Sequence, residues 1–105
     1  MNYLLAIWIH FISDFLLQTD KMATNKSSSL KYLGLHCIVY SIPFLIFGLQ
    51  FAIINGFLHF IVDFISSKAT SYLWQNEKRH WFFVTIGLDQ AIHMSCLFLS
   101  LQYGL

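Results

Sequence analysis

FAIINGFLHFIVDFISS, residues 51–67, decides how this chain folds. Only Asn55, His59 and Asp63 bring polar side chains into the run before its closing serines, and no proline breaks it. The apolar character continues to Trp74. A helix needs about 20 mostly apolar residues to cross a hydrocarbon core of roughly 30 Å, so residues 51–74 read as a transmembrane span. Working outward, residues 2–18, 32–49 and 81–103 are runs of the same kind. The composition agrees: 57% of residues are apolar and 10% charged, where a soluble domain carries about 25% charge. That balance excludes a disordered segment. Two cysteines exclude a disulfide scaffold, and a net charge of +1 without a basic tract excludes a nucleic-acid binder. The fold expected is all-α, a polytopic four-helix membrane bundle forming a single transmembrane domain over residues 1–105.

The first run does not read as a secretory signal, because it lacks a basic start and carries His10 and Asp14. Its connection to the second run, residues 19–31, is polar, and its serines can cap the following helix. Pro43 should kink the second span by removing a backbone donor. All six basic residues, Lys21, Lys26, Lys31, Lys68, Lys78 and Arg79, lie in or beside the connections 19–31 and 75–80. Cytoplasmic loops carry the excess of Lys and Arg, so both connections are expected in the cytoplasm and both termini on the far side of the cell (inner) membrane. Trp74 and Trp81 flank the second connection, as headgroup anchors do.

Residues 9–17 read IHFISDFLL and residues 58–66 read LHFIVDFIS. The shared His-Phe-Ile-x-Asp-Phe suggests a duplicated helical hairpin: two parallel hairpins about a pseudo-twofold axis along the membrane normal, with spans one and three diagonally opposed.

Ionisable groups inside spans are costly, so they face the bundle interior and mark function. His10 and Asp14, His59 and Asp63, and Asp89 and His93 are each four residues apart, which puts each pair on one helix face. Counted from the basic end at about 1.5 Å per residue, these six groups and His36 fall in one slab roughly 6 to 18 Å deep. Four imidazoles and three carboxylates at one level suit one or two divalent ions, with Zn, Mn and Fe equally served. Two divalent ions would also balance three carboxylates, which otherwise repel, together with one hydroxide. Gln18, Tyr40, Asn55 and Gln90 follow the same faces as candidates to orient the ligands. Cys37 points away from His36, and Cys96 fits a small buried residue better than a ligand. Two alternatives use the same residues: interhelical hydrogen bonds without metal, and a path for protons or a divalent ion.

His10-x-x-x-Asp14-Phe15-x-Leu17-Gln18, then His36, His59-x-x-x-Asp63 and Asp89-Gln90-x-x-His93 resemble the small integral membrane proteins of bacteria and phages grouped as domain of unknown function 3307. The resemblance spans residues 10–93, with Lys68 a counterpart of a lysine the family carries after its second His-x-x-x-Asp. It implies a polytopic membrane protein and brings no activity. The His/Asp-rich spans also resemble, more loosely, membrane-bound metal-dependent hydrolases.

Three readings of function follow. A bound metal ion that brings the pKa of water towards 7 would hydrolyse an ester or phosphoester, with Lys21, Lys26, Lys31, Lys78 and Arg79 attracting an anionic head group. Alternatively the groups relay protons or carry a divalent ion, or the chain is a non-catalytic membrane interaction protein. The partners expected are the lipid bilayer and, above all for transport, a second copy of the chain; nucleic acid is not one.

Overall fold

The computed structural model describes residues 3–26 and 28–105. Asn2 at the start of the first expected span, Ser27 in the first connection, and the Lys21 side chain of the basic rim lie outside the described residues. The described residues are all-α, without strands.

Helix α1 covers Tyr3–Phe11 and continues as a π-helical turn over Ile12–Leu16. The turn closes where Leu17 N–H donates to the Ile12 carbonyl at 2.9 Å, five residues back. A short helix α2, Asp20–Asn25, follows, and then α3, Leu30–Ser41. At Pro43 α3 tightens into a 3-10 turn over Ile42–Phe47. The expected kink therefore takes the form of a narrower helix, because proline offers no N–H for the α-helical bond. Gly48 follows with φ 115° and ψ 159°, a conformation a side chain resists, and reverses the chain into α4, Leu49–Gln75. A turn at residues 76–78 leads into α5, Arg79–Gln102. Arg79 closes that turn by donating to the Trp74 carbonyl at 2.6 Å while its guanidinium lies 3.6 Å over the Trp74 ring.

Three helical stretches, Leu30–Phe47, Leu49–Gln75 and Arg79–Gln102, are long and apolar enough to cross a membrane, and Tyr3–Leu16 is a shorter apolar one. The polar connection 19–31 is not an open loop, since it contains α2. Thr19 caps that helix by accepting from the Met22 N–H at 3.2 Å, and Met22 is buried beneath it. Ser29 stands at the N-cap of α3 but makes no side-chain cap, contrary to the role expected of the serines.

Helix α4 packs against α3 and α5, and α1 packs against α5 and the 3-10 turn. The neighbours α3 and α4 approach closely at Gly56, where an added Cβ would run into Ser41 Oγ. His36 of α3 and His59 of α4 touch across the same pair of helices. At the end remote from α2, Ile9, Tyr40, Phe44, Phe51, Ala52 and Leu97 form an apolar plug, with Phe47 and Phe98 against it. The outer surface is largely apolar, as at Trp8, Ile38, Phe57 and Leu88, and the buried ionisable groups, among them Asp14, His36, His59, Asp63 and His93, are inside.

Candidate metal centre

Each of the long helices and the π-helical turn aims at least one ionisable side chain at a single point between the plug and α2. The π-turn presents Asp14, α3 His36, α4 His59 and Asp63, and α5 Asp89 and His93. All but Asp89 are buried, and Asp89 borders a cavity.

His36 Nε2 lies 3.0 Å from Asp14 Oδ1, 3.2 Å from Asp63 Oδ2 and 2.9 Å from His59 Nε2. His59 Nε2 lies 3.5 Å from Asp14 Oδ1 and 3.2 Å from Asp63 Oδ2. Five of the six separations among these four atoms thus lie between 2.9 and 3.5 Å and all within 4.8 Å, the outline of a small tetrahedron. A regular one with edges of about 3.2 Å has its centre about 2 Å from every corner, the length of a bond from Zn to imidazole nitrogen or carboxylate oxygen. The donor set fits as well: two ring nitrogens facing each other and two carboxylate oxygens present lone pairs to one point, which suits a divalent cation.

Both carboxylates of the tetrahedron have a second oxygen turned the other way. Asp63 Oδ1 lies 3.1 Å from His93 Nε2, which is also 3.2 Å from Asp89 Oδ1. Asp14 Oδ2 faces His10 Nε2 at 3.7 Å and accepts from Gln90 Nε2 at 3.4 Å. Ligand atoms of Asp14, Asp89 and His93 all lie within 4.8 Å of one another, making a second metal-competent group that shares Asp14 with the first.

Around this core the side chains hold one another. His10 Nε2 donates to Gln90 Oε1 at 2.7 Å, and its Nδ1 pairs with the Tyr40 hydroxyl at 2.9 Å. Both nitrogens of His10 are thereby engaged, which places it beside the centre. Gln90 Nε2 also donates to Asp89 Oδ2 at 3.1 Å, so this one amide joins His10 to both Asp14 and Asp89. The Tyr40 ring stacks on His59 at 3.8 Å, and His59 Nδ1 meets His93 Nδ1 at 3.2 Å.

The chain matches a family model over residues 2–104, a range that contains every residue named above. It belongs to the DUF3307 family of proteins of unknown function. No curated protein and no solved structure matches it.

Of the residues singled out in the sequence, Asp14, His36, His59, Asp63, Asp89 and His93 meet at the centre, and Gln90 and Tyr40 brace it. Gln18 lines the cavity with a buried Oε1. Asn55 does not reach the site: its Nδ2 donates to the Phe51 carbonyl at 3.0 Å, and its Oδ1 accepts from Ser100 Oγ at 3.4 Å, tying α4 to α5. Lys68 turns outward over the Phe64 ring. Two contacts were not legible at residue level. Lys26 Nζ donates to Asp63 Oδ2 at 3.3 Å, and Ser66 Oγ donates to Asp89 Oδ1 at 2.6 Å. Ser66 follows Asp63 by three positions, a spacing that could have marked it. Nothing in the sequence separates Lys26 from the other lysines of its connection.

A cavity of about 430 Å³ opens onto the centre. Its walls include Asp14, Asp63, Asp89 and Gln90 at the bottom, Lys26 and Ser71 higher up, and the rings of Phe15, Trp74 and Phe82. It therefore runs towards the end of the bundle that carries α2 and the turn at 76–78.

Proposed function

We propose that this chain is a membrane-embedded, metal-dependent hydrolase whose centre holds two divalent ions. Asp14, His36, His59 and Asp63 would hold the first. Asp89 and His93, with the outward oxygens of Asp14 and Asp63, would hold the second. The observation that carries this reading is the tight group of four donor atoms, five of whose six separations, 2.9 to 3.5 Å, match the span of ligands around one ion and all of which lie within 4.8 Å. Divalent ions in such a site supply Lewis acidity and a water of lowered pKa, the means to cleave an ester or phosphoester. The residues of the chain do the rest. Gln90 and Tyr40 fix His10, Asp14 and the His59 ring in place, and the plug closes the bundle beneath the centre.

A single domain with its helices across a bilayer accounts for the inverted surface, apolar outside and ionisable inside. The two His-x-x-x-Asp pairs support the duplicated-hairpin reading, since Asp14 and Asp63 each offer one oxygen to the tetrahedron and one beyond it. The halves are not conformational copies: Asp14 sits in a π-turn, Asp63 in regular α-helix. A path for protons or ions through the bundle is the weaker reading. Beyond the centre such a path would meet the packed rings of Phe44 and Phe51, and the outward-facing hydroxyls of Thr85 and Ser95 bond to their own helices.

Elemental analysis of protein purified in detergent, without added metal or chelator, tests the centre directly. About two transition-metal ions per chain are expected, and less than about one ion per four chains would defeat the proposal. Orientation is tested separately, in a background with Cys37 and Cys96 replaced by alanine. Cysteines placed at Ser28 and Asn76 should react with an impermeant maleimide from the cytoplasmic face alone. Labelling of either from the opposite face would reverse the topology.

A further inference from the structure

Among the described residues the wall of the cavity holds one ammonium, Lys26, above three carboxylates, and its contact with the centre is the part of the site that metal ligation leaves unexplained. Lys26 closes the C-terminal end of α2, and the packing of α2 on α3 carries it over Asp63. Its Nζ donates to Oδ2 of Asp63, the oxygen that also stands 3.2 Å from both His36 Nε2 and His59 Nε2. An ammonium and a divalent ion drawn to the same oxygen repel each other. With the centre loaded, the ammonium is driven off Asp63 and into the cavity whose wall it already forms.

Charge then selects what it meets there. Neutral imidazoles leave three carboxylates to balance two divalent ions and one ammonium, and the balance is positive. An uncharged carboxylic ester leaves that surplus unmatched in a low-dielectric site, whereas a phosphoester anion cancels it. The cavity also gives such an anion a place for an apolar substituent, against Phe15, Trp74, Phe82 and Ile86.

We infer that Lys26 is the specificity-determining residue of this centre and that the substrate it selects is a phosphoester anion. The inference rests on the metal-dependent reading and narrows it from esters in general to one class.

The test uses the full chain in uncharged detergent, loaded with Zn or Mn and titrated calorimetrically with inorganic phosphate, with phosphatidic acid in micelles, and with diacylglycerol. Metal content is measured on the same samples. The wild type is expected to bind both phosphates and to ignore diacylglycerol. Lys26→Gln should weaken phosphate binding by about tenfold or more at unchanged metal content, and Lys26→Arg should restore most of it. Phosphatidic acid binding tighter than free phosphate assigns the class to a lipid head group; equal binding assigns it to a soluble phosphoester. Either result supports Lys26 as the selecting residue. Undiminished phosphate binding by Lys26→Gln overturns the inference, and so does loss of metal together with phosphate, which makes Lys26 only a support for Asp63. A wild type that takes up metal but neither phosphate overturns the inference alone. One that takes up no metal overturns the inference and the hydrolase reading together.

Discussion

Asp63→Ala is expected to empty the centre of metal and to lower the stability of the bundle by about 3 to 5 kcal/mol, the range measured when one partner of a buried ion pair is removed. Asp63 touches four members of the site. Its two oxygens face His36, His59 and His93 and accept from Lys26. Removing them strands an ammonium and leaves the imidazoles without their common acceptor at the bottom of the cavity. Asp63→Asn separates the two effects. An amide fills the same space and can accept from Lys26, but it is a poor ligand and carries no charge to balance an ion. Its melting temperature in detergent should therefore stay near that of the metal-free wild type while its metal content falls. An Asp63→Ala protein that keeps its full complement of metal would remove Asp63 from the centre.

The second large effect is one of stoichiometry. Asp89→Ala is expected to reduce the metal content from about two ions per chain to about one, with the fold kept. Asp89 touches His93, Ser66 and Gln90, and it makes no contact with His36 or His59. It also borders the cavity, so its loss leaves a gap that water can fill. The tetrahedron of Asp14, His36, His59 and Asp63 is untouched by the change. Elemental analysis beside the wild type reads the result. Loss of both ions would mean that the positions are not separable, and loss of neither would mean that Asp89 holds none.

Much of this site is written in the sequence because the cost of burying charge is so high. An aspartate or histidine inside an apolar run has few places to go, and spacing of four residues sends His59 and Asp63 to the same face whatever the rest of the chain does. The same argument brought in Asn55, and there it failed. One further turn along α4 passes the level of the centre, and Asn55 found partners in its own backbone and in Ser100. His10 shows a different limit. Its spacing from Asp14 places it at the right depth, but depth does not say which neighbour takes each ring nitrogen, and Tyr40 and Gln90 take both. Helix α2 was hidden because six residues are too few to display a periodicity; it is held by the Thr19 cap and the burial of Met22. Lys26 was hidden with it. In the sequence it counts as one more positive charge beside a membrane, and only the fold of α2 against α3 makes it part of the site.

The apolar plug has a consequence for how the protein would behave in a closed membrane. Phe44, Phe51 and Leu97 are almost wholly buried, and they close the bundle below the centre while the cavity opens above it. Two compartments separated by this protein are then unequal in their access to it. In sealed vesicles the molecules whose cavity faces the lumen would be latent, shielded alike from an impermeant chelator and from an impermeant substrate. Opening the vesicles with detergent would unmask them.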